Sequence, residues 1–389
     1  MSWEDGIAFD LGDEVRMVRE SARDFAVAEV LPLAARIDQE HYFPKELIPK
    51  MGALGFMGAT VPEDLDGAGL SQVAYCLIIE ELAAACASTS IIVSAHHSLC
   101  LMPILDFGTP AQKEKYVRPL ARGEKLGCFA LSEPGTGSDA AAMTCTVRHD
   151  GDGYLIQGTK NWITNGPEAD VCVLFTQMDS SKGHRGICAF VHPLDLPGIS
   201  RGRKEDKLGI CGSPTCSLTY DGVRLGKEHL LGEEGKGFKV AMQTLNGGRT
   251  GVAAQAVGIA RAALRDALSY AKERKAFGKL LHEHQSVANY LAEMVTKIDA
   301  ARYLTVSAAA LKDQGKDYAR QAAMAKLYAS EVAMTVADLG IQIHGGYGYV
   351  KDYPAERHLR DAKITQIYEG TSEIQKLVIS ARLVEESSH

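Results

Sequence analysis

Apolar residues recur at helical spacing through the first third of the chain. In DEVRMVRESARDFAVAEVLP, Val15, Val18, Ala22, Phe25 and Ala26 share one face, and Pro32 predicts the stop. YCLIIEELAAACASTSIIVSAHHSL reads as one long apolar helix with Glu80 and Glu81 on its polar side. Near Gly123 the period changes. From there to about Lys236 short β-rich runs are divided by turn residues, and TCTVRHDGDGYLIQGTKNWIT places two alternating segments around HDGDG, a hairpin signal. VCVLFTQM, GICAFVHP and TCSLTYDGVRL continue the strands, which together predict a small barrel or sandwich. After LGEEGKGF the helical period returns in four long alanine-rich segments: RTGVAAQAVGIARAALRDALSYAKER, QSVANYLAEMVTKIDAARYLTVSAAALKD, QAAMAKLYASEVAMTVADLGIQI and TSEIQKLVISARLV. Four such helices predict a bundle. The order of helices, strands, helices disfavours a doubly wound parallel sheet.

Length adds that 389 residues exceed one compact core, so two or three domains are expected. A net charge of −7 lacks the basic footprint of a nucleic-acid partner, although a bound nucleotide needs only local donors. Nine scattered cysteines, odd in number and without a CxxC pair, argue against structural zinc or a disulfide framework and for a reducing compartment. The apolar runs are expected to fall short of the roughly 18 residues that span a bilayer, so no membrane insertion is expected. The acidic start MSWEDGIAFDLGDEVR has neither transit-peptide nor signal-peptide character, so the chain is not expected to be secreted.

Common catalytic signatures are missing. GEEGKGF has the wrong glycine order for a dinucleotide or P-loop motif, and HEHQS carries Ser286 where HExxH needs histidine. No metal site is expected; His96 and His97, adjacent on a helix, diverge by about 100° and cannot share an ion, so they read as structural. FALSEPGTGSD, Phe129 to Asp139, begins as a strand and turns through Pro134, Gly135 and Gly137, a shape in which backbone N–H groups converge on an electronegative ligand or simply a glycine-rich loop. KNWITNG follows, setting Trp162 beside Thr164. In TQIYEGTSEIQ, Ser372 and Gln375 form a capping box at the start of the last helix. Glu369 lies outside that box, either as a surface glutamate favoured by the helix dipole or as a general base on a glycine-loosened turn.

Taken with ERKAFGKLLHEHQS, LNGGRTGVAAQAVGIA and HGGYGYVKDYPAERHLRDAKITQIYEGTSEIQ, these motifs resemble the acyl-CoA dehydrogenase family, specifically its short-chain, butyryl-CoA-type members, over essentially the whole chain. The resemblance implies an α+β multidomain fold: an N-terminal α-helical domain (1–124), a middle β-barrel domain (125–237) and a C-terminal four-helix bundle (238–389). It further implies FAD and a homotetramer. By it, Phe129, Ala130, Leu131, Ser132, Glu133, Pro134, Gly135, Thr136, Gly137 and Ser138 would cradle the flavin ring through backbone groups and hydroxyls, with Ser138 also near the acyl-CoA. Trp162 and Ile163 would pack at the isoalloxazine and Thr164 would hydrogen-bond near N5. Arg274 and Gln285 would bind phosphate and adenosine, the guanidinium fork matching paired oxygens. Gln342, Ile343, His344, Gly345 and Gly346 resemble the loop that reaches a neighbouring subunit's cofactor, His344 as a spacer. Asn246, Gly247, Gly248 and Arg249 match the segment that contacts the CoA ester, with Asn246 where the short-chain pattern more usually has aspartate and branched-chain members have asparagine. Tyr368 and Gly370 would line the substrate, while Gly370, Thr371, Ser372 and Glu373 would complete the turn and touch the cofactor.

In that family the Tyr-Glu-Gly glutamate, here Glu369, removes the α-proton of a saturated acyl thioester while flavin N5 accepts the β-hydride, giving trans-2-enoyl-CoA and passing electrons to electron transfer flavoprotein. Desolvation by the acyl chain is expected to raise the carboxylate's pKa against the helix dipole. The alternatives are a branched-chain dehydrogenase, an acyl-CoA oxidase on the same fold, and a non-catalytic flavin- or CoA-binding protein. The expected compartment is the bacterial cytoplasm, or the mitochondrial matrix after processing.

Overall fold

The computed structural model describes residues 10–387; the outermost residues of the terminal domains and most of the acidic N-terminal stretch read for a leader lie outside that range. The first third is helical: α1 (Asp13–Phe25), α2 (Ala34–Gln39), α3 (Leu47–Ala53), α4 (Gln72–Ala85), α5 (Ala87–Ser94), α6 (Met102–Phe107), α7 (Pro110–Gln112) and α8 (Arg118–Ala121). Pro32 does not stop the first helix. The chain passes through a π-turn at Ala26–Val30 and a tight turn at Leu31–Leu33, where proline sits in the first turn and loses no hydrogen bond it needs, and runs on into α2. The long apolar segment is two helices rather than one, broken at Cys86, whose backbone is extended (φ −158°, ψ 112°). A π-turn at Ala95–Leu101 carries α5 into α6. Contrary to the expectation from sequence, the run Ala87–Phe107 is long and apolar enough to cross a membrane, but 78% of its most apolar window is buried inside the protein, as in a core helix.

Glu80 and Glu81 are likewise not on a polar face. Both are buried, and they meet arginines from three other helices. Glu80 lies 2.7 Å from Arg261 and 2.9 Å from Arg302; Glu81 lies 2.8 Å from Arg19 and 3.1 Å from Arg23. Burial opposes ionisation of Glu80, yet the guanidinium groups of Arg302, Arg261 and Arg19 outweigh it and pull the pKa down to about 2.

Seven strands follow: β1 (Gly127–Ala130), β2 (Thr146–Asp150), β3 (Gly153–Thr164), β4 (Val171–Gln177), β5 (Ile187–Pro193), β6 (Ile199–Arg201) and β7 (Thr215–Gly226). β2 and β3 form the expected hairpin, with Asp150 opposite Gly153. The pairing path is β1-β4-β2-β3-β7-β6, with β5 on the other side of β4, and among the described residues β5 and β6 do not pair. The barrel is therefore open, a half-barrel. Cys172, Leu174, Cys188 and Phe190 face the core that the strands share, and the opposite face of β4 and β5 packs against Val240 and Ala241 of the next helix.

That helix, α9 (Gly237–Glu273), starts well before the segment read from sequence and carries LNGGR within it. A short hairpin, β8 (Lys275–Ala276) with β9 (Lys279–Leu280), leads to α10 (Gln285–Asp313), α11 (Ala319–His344), α12 (Ala355–Ile364) and α13 (Ser372–Glu386). α9, α10, α11 and α13 are the four expected helices, and α12 is an additional one. Alanines and glycines let them close up: a Cβ at Gly258 would sit 2.4 Å from the Glu80 carbonyl, so only glycine admits α4 so near α9.

Candidate active site

Glu369 sits on the turn between α12 and α13 with φ 53°, and Gly370 follows at φ 95°. A non-glycine residue in left-handed conformation persists only where its surroundings hold it. The Gln375 amide donates to the Glu369 carbonyl at 3.3 Å and to the Gly370 carbonyl at 2.8 Å, and the Lys326 ammonium donates to the Gly370 carbonyl at 2.6 Å. The Tyr368 hydroxyl donates to Gln255 of α9, and the Ser372 N–H to the Gln366 carbonyl. The expected capping box is not formed. Thr371 is the N-cap, its hydroxyl accepting from the Ile374 N–H at 3.3 Å, while Ser372 is the first helical residue and the Gln375 side chain turns back to pin the loop.

The loop backbone is tied on several sides; the carboxylate is not. Glu369 as a residue is half-buried, yet both carboxylate oxygens are shielded and have no hydrogen-bond partner among the described residues. Burial pushes its pKa up to about 7, against the downward pull of Lys326 and then Arg249. The side chain reaches over α9 at Gly248, where a Cβ would lie 1.9 Å from Oε2 and 2.9 Å from Leu99 Cδ2. The wall opposite continues along α5: Gly251 faces Ser94 and Tyr75, and Gln255 donates to the Ala87 carbonyl. Arg249 is buried beside Glu369, with Nη1 donating to Asn246 Oδ1 at 2.7 Å and Nε without a partner among the described residues. Glu369, Gly370, Tyr368, Gly247, Gly248, Arg249 and Asn246 are thus brought into one neighbourhood.

The second group lies on the half-barrel. Phe129 and Leu131 pack in the same apolar cluster as Val240, Ala241 and Leu245, the α9 residues just before Asn246. The loop beyond them is fixed to β3 through Asn161 N–H to the Ser132 carbonyl (2.8 Å) and Lys160 to the Leu131 carbonyl (3.0 Å). Glu133 contributes no free carboxylate: Lys160, at 2.8 Å, and the Thr144 and Cys145 backbones use it, so only its main chain can face a ligand. Gly135, Gly137 and Ser138 lie on this loop, where a Cβ on either glycine would meet nothing, and the Thr136 hydroxyl is buried without a partner. A bulge in β3 between Lys160 and Ile163 puts Trp162 at φ 61°, with its ring 60% exposed, while Ile163 is buried in the core and Thr164 half-buried. A large exposed ring on a strained strand end and buried, unpartnered Thr136 and Ser372 hydroxyls suit a flat, polar-edged cofactor such as a flavin.

The third group is elsewhere. Arg274 and His344 line a cavity of about 480 Å³ with Tyr270, Tyr347 and Tyr353. The Arg274 guanidinium stands 5.8 Å from the Tyr347 ring centroid, and His344 stacks on Tyr270 at 4.5 Å while bonding the Gly340 carbonyl. Gly345 turns the end of α11 at φ 61°, with Gln342, Ile343 and Gly346 around it, and exposed Gln285 opens α10. Lys326 and His344 are far apart on α11, about 27 Å of helix, so this cavity and the Glu369 turn occupy opposite ends. Phe277, 98% exposed at φ 49° on the β8–β9 tip, is also close in sequence to Arg274. Sequence reasoning missed the tyrosines and Lys326; the crowded aromatics of HGGYGYVKDY signalled the former, whereas one lysine in an alanine-rich helix signals nothing.

His96 and His97 are structural, as expected. His96 bridges the Gly127 N–H and the Leu120 carbonyl, and His97 accepts from Thr60 and stacks on Tyr75 at 4.3 Å. All nine cysteines are buried free thiols.

Models of the N-terminal, middle and C-terminal domains of acyl-CoA dehydrogenases match residues 12–124, 128–223 and 235–384. The mitochondrial short-chain specific acyl-CoA dehydrogenase of Bos taurus is 52% identical over 96% of this chain and 91% of its own length. Butyryl-CoA dehydrogenase from Megasphaera elsdenii superposes with TM-score 0.95 at 46% identity, covering 97% of this chain and all (100%) of that one. A chain solved with work on the electron transferring flavoprotein of Acidaminococcus fermentans superposes with TM-score 0.95 at 47% identity, covering 97% and 99%. Matched through all three of its domains, the chain belongs to the acyl-CoA dehydrogenase family.

Proposed function

We propose that the protein dehydrogenates a short-chain acyl-CoA to its trans-2-enoyl-CoA, with Glu369 as the base, FAD as cofactor and electron transfer flavoprotein as electron acceptor. The observation that carries this reading is the shielded, unpartnered Glu369 carboxylate beside Gly248. A thioester α-C–H is a very weak acid, and a carboxylate held near pKa 7 is a far better match than one in water. An apolar acyl chain entering beside Glu369 removes further water and raises that basicity. The Glu369 N–H can donate to the thioester oxygen as enolate charge develops there. Gly248 leaves the space in which the carboxylate turns toward the α-carbon. Bound FAD would supply the acceptor for the β-hydrogen and its electron pair, held by Phe129–Ser138, Trp162, Thr164 and the turn Thr371–Glu373.

A short acyl chain is favoured by the Tyr368–Gln255–Ala87 hydrogen bonds, which tie the Glu369 turn to α9 and α9 to α5. The distance along α9 from Gly248 to Gln255 is about 10 Å, room for a short chain. The wide separation of Arg274 and His344 from Glu369 supports a homotetramer in which neighbouring copies complete each cofactor site. The family's matrix or bacterial cytoplasmic setting is the compartment we infer. In the test, butyryl-CoA is mixed anaerobically with wild type and with Glu369→Gln. The variant should retain FAD and leave it oxidised; reduction at the wild-type rate would overturn the assignment of the base.

A further inference from the structure

Lys326 is fully buried in α11, its side chain under the turn that bears the base. A buried ammonium needs compensation, and an ordinary structural lysine finds it in a carboxylate. Lys326 instead donates to a neutral carbonyl, that of Gly370, at 2.6 Å. Its charge is left facing the carboxylate on the next residue, whose two oxygens accept no hydrogen bond. We propose that Lys326 is a positioning residue for the dehydrogenation: its ammonium locks the left-handed Glu369–Gly370 turn through the Gly370 carbonyl and supplies the cationic field in which the Glu369 carboxylate works.

The two parts of this role are separable. The hydrogen bond shares with the Gln375 amide the task of fixing where the carboxylate is carried, holding Gly370 at φ 95°. The charge sets how readily the carboxylate ionises. A direct salt bridge would have tied up the oxygens that must take the proton; a charge anchored on the adjacent carbonyl favours ionisation and leaves them open. The other groups acting here are Arg249 from α9, Tyr75 from α4, Tyr368 on the same turn and Glu373 at the start of α13. Burial draws the Lys326 pKa down to about 8, with Glu369 opposing, so most of it is still protonated at the midpoint of the Glu369 titration, near 7.

This inference rests on Glu369 being the base, so the test reads the carboxyl itself without substrate. Infrared titration of the flavoprotein would follow the carboxyl band that disappears in Glu369→Gln, in wild type and in Lys326→Met, Lys326→Gln and Lys326→Arg. Both neutral variants should shift the Glu369 titration upward by about one pH unit or more, while Lys326→Arg keeps it close to wild type. Lys326→Gln retains a donor for the Gly370 carbonyl and reports on charge alone if Lys326→Met does not fold. An unmoved titration in the neutral variants would overturn the proposal. Loss of the base assignment would appear separately, as flavin reduction by butyryl-CoA in Glu369→Gln.

Discussion

Burying the Glu369 carboxylate without a donor sets its ionised form against the folded state. A carboxyl whose folded pKa stands above its unfolded value stabilises the fold while protonated, and that contribution is lost as pH rises from about 4.5 through about 7. The difference amounts to up to about 3 kcal/mol above that range. Glu369→Gln, neutral at every pH, should therefore melt higher than wild type above about pH 7 and lose that advantage as the pH falls to about 4.5, which differential scanning fluorimetry across pH can check. An unchanged melting difference would mean that the carboxylate is solvated after all. Gly248 makes a second prediction. A methyl group there collides with the movable end of Glu369, so Gly248→Ala should fold normally but displace the base. Because misplacement by about 1 Å can reduce a rate about 100-fold, kcat should drop by roughly that factor with FAD content unchanged.

At the scale of elements, the Glu80–Glu81 cluster does what apolar packing does not: it fixes α1, α4, α9 and α10 relative to one another. Removing Glu80 leaves the buried guanidinium groups of Arg19, Arg261 and Arg302 only Glu81 and Asp299 to share, so Glu80→Ala should destabilise the protein by up to about 3–5 kcal/mol, read as a lower urea midpoint. Glu80 itself has a depressed folded pKa, so its contribution is present above about 4.5 and lost as pH falls toward about 2. These helices also show what the sequence pattern conveys. Strand and helix periods were legible because they reflect burial of alternate or every third or fourth side chain. The glutamates of α4 were misplaced on a polar face because their compensating arginines lie far away in the chain. The break at Cys86 was hidden too, since a helix buried on all sides has no polar stripe whose phase could slip. In the same way the capping box was read from spacing alone, whereas the strained Glu369 turn recruits the Gln375 side chain and leaves capping to Thr371.

For the whole molecule, the three-domain order was evident from the change of period, and α9 joins two of those domains by covering the face of β4 and β5 turned away from the strands' own core. The split between the Glu369 turn and the Arg274 cavity had no expression in spacing or period; only the family resemblance, which set Gln342–Gly346 against a neighbouring subunit's cofactor, implied part of it. If neighbouring copies bring the two ends together, Arg274→Ala should release flavin on dilution under conditions where wild type retains it, measured as flavin passing an ultrafiltration membrane. Equal retention would place the cofactor's phosphates elsewhere. The central claim, that one shielded carboxylate does the proton abstraction, is tested most directly by anaerobic stopped-flow reduction of the bound flavin with butyryl-CoA in wild type and Glu369→Gln. The account predicts fast bleaching in wild type and a rate at least about 1,000-fold lower in the variant; bleaching at a comparable rate in both would contradict it.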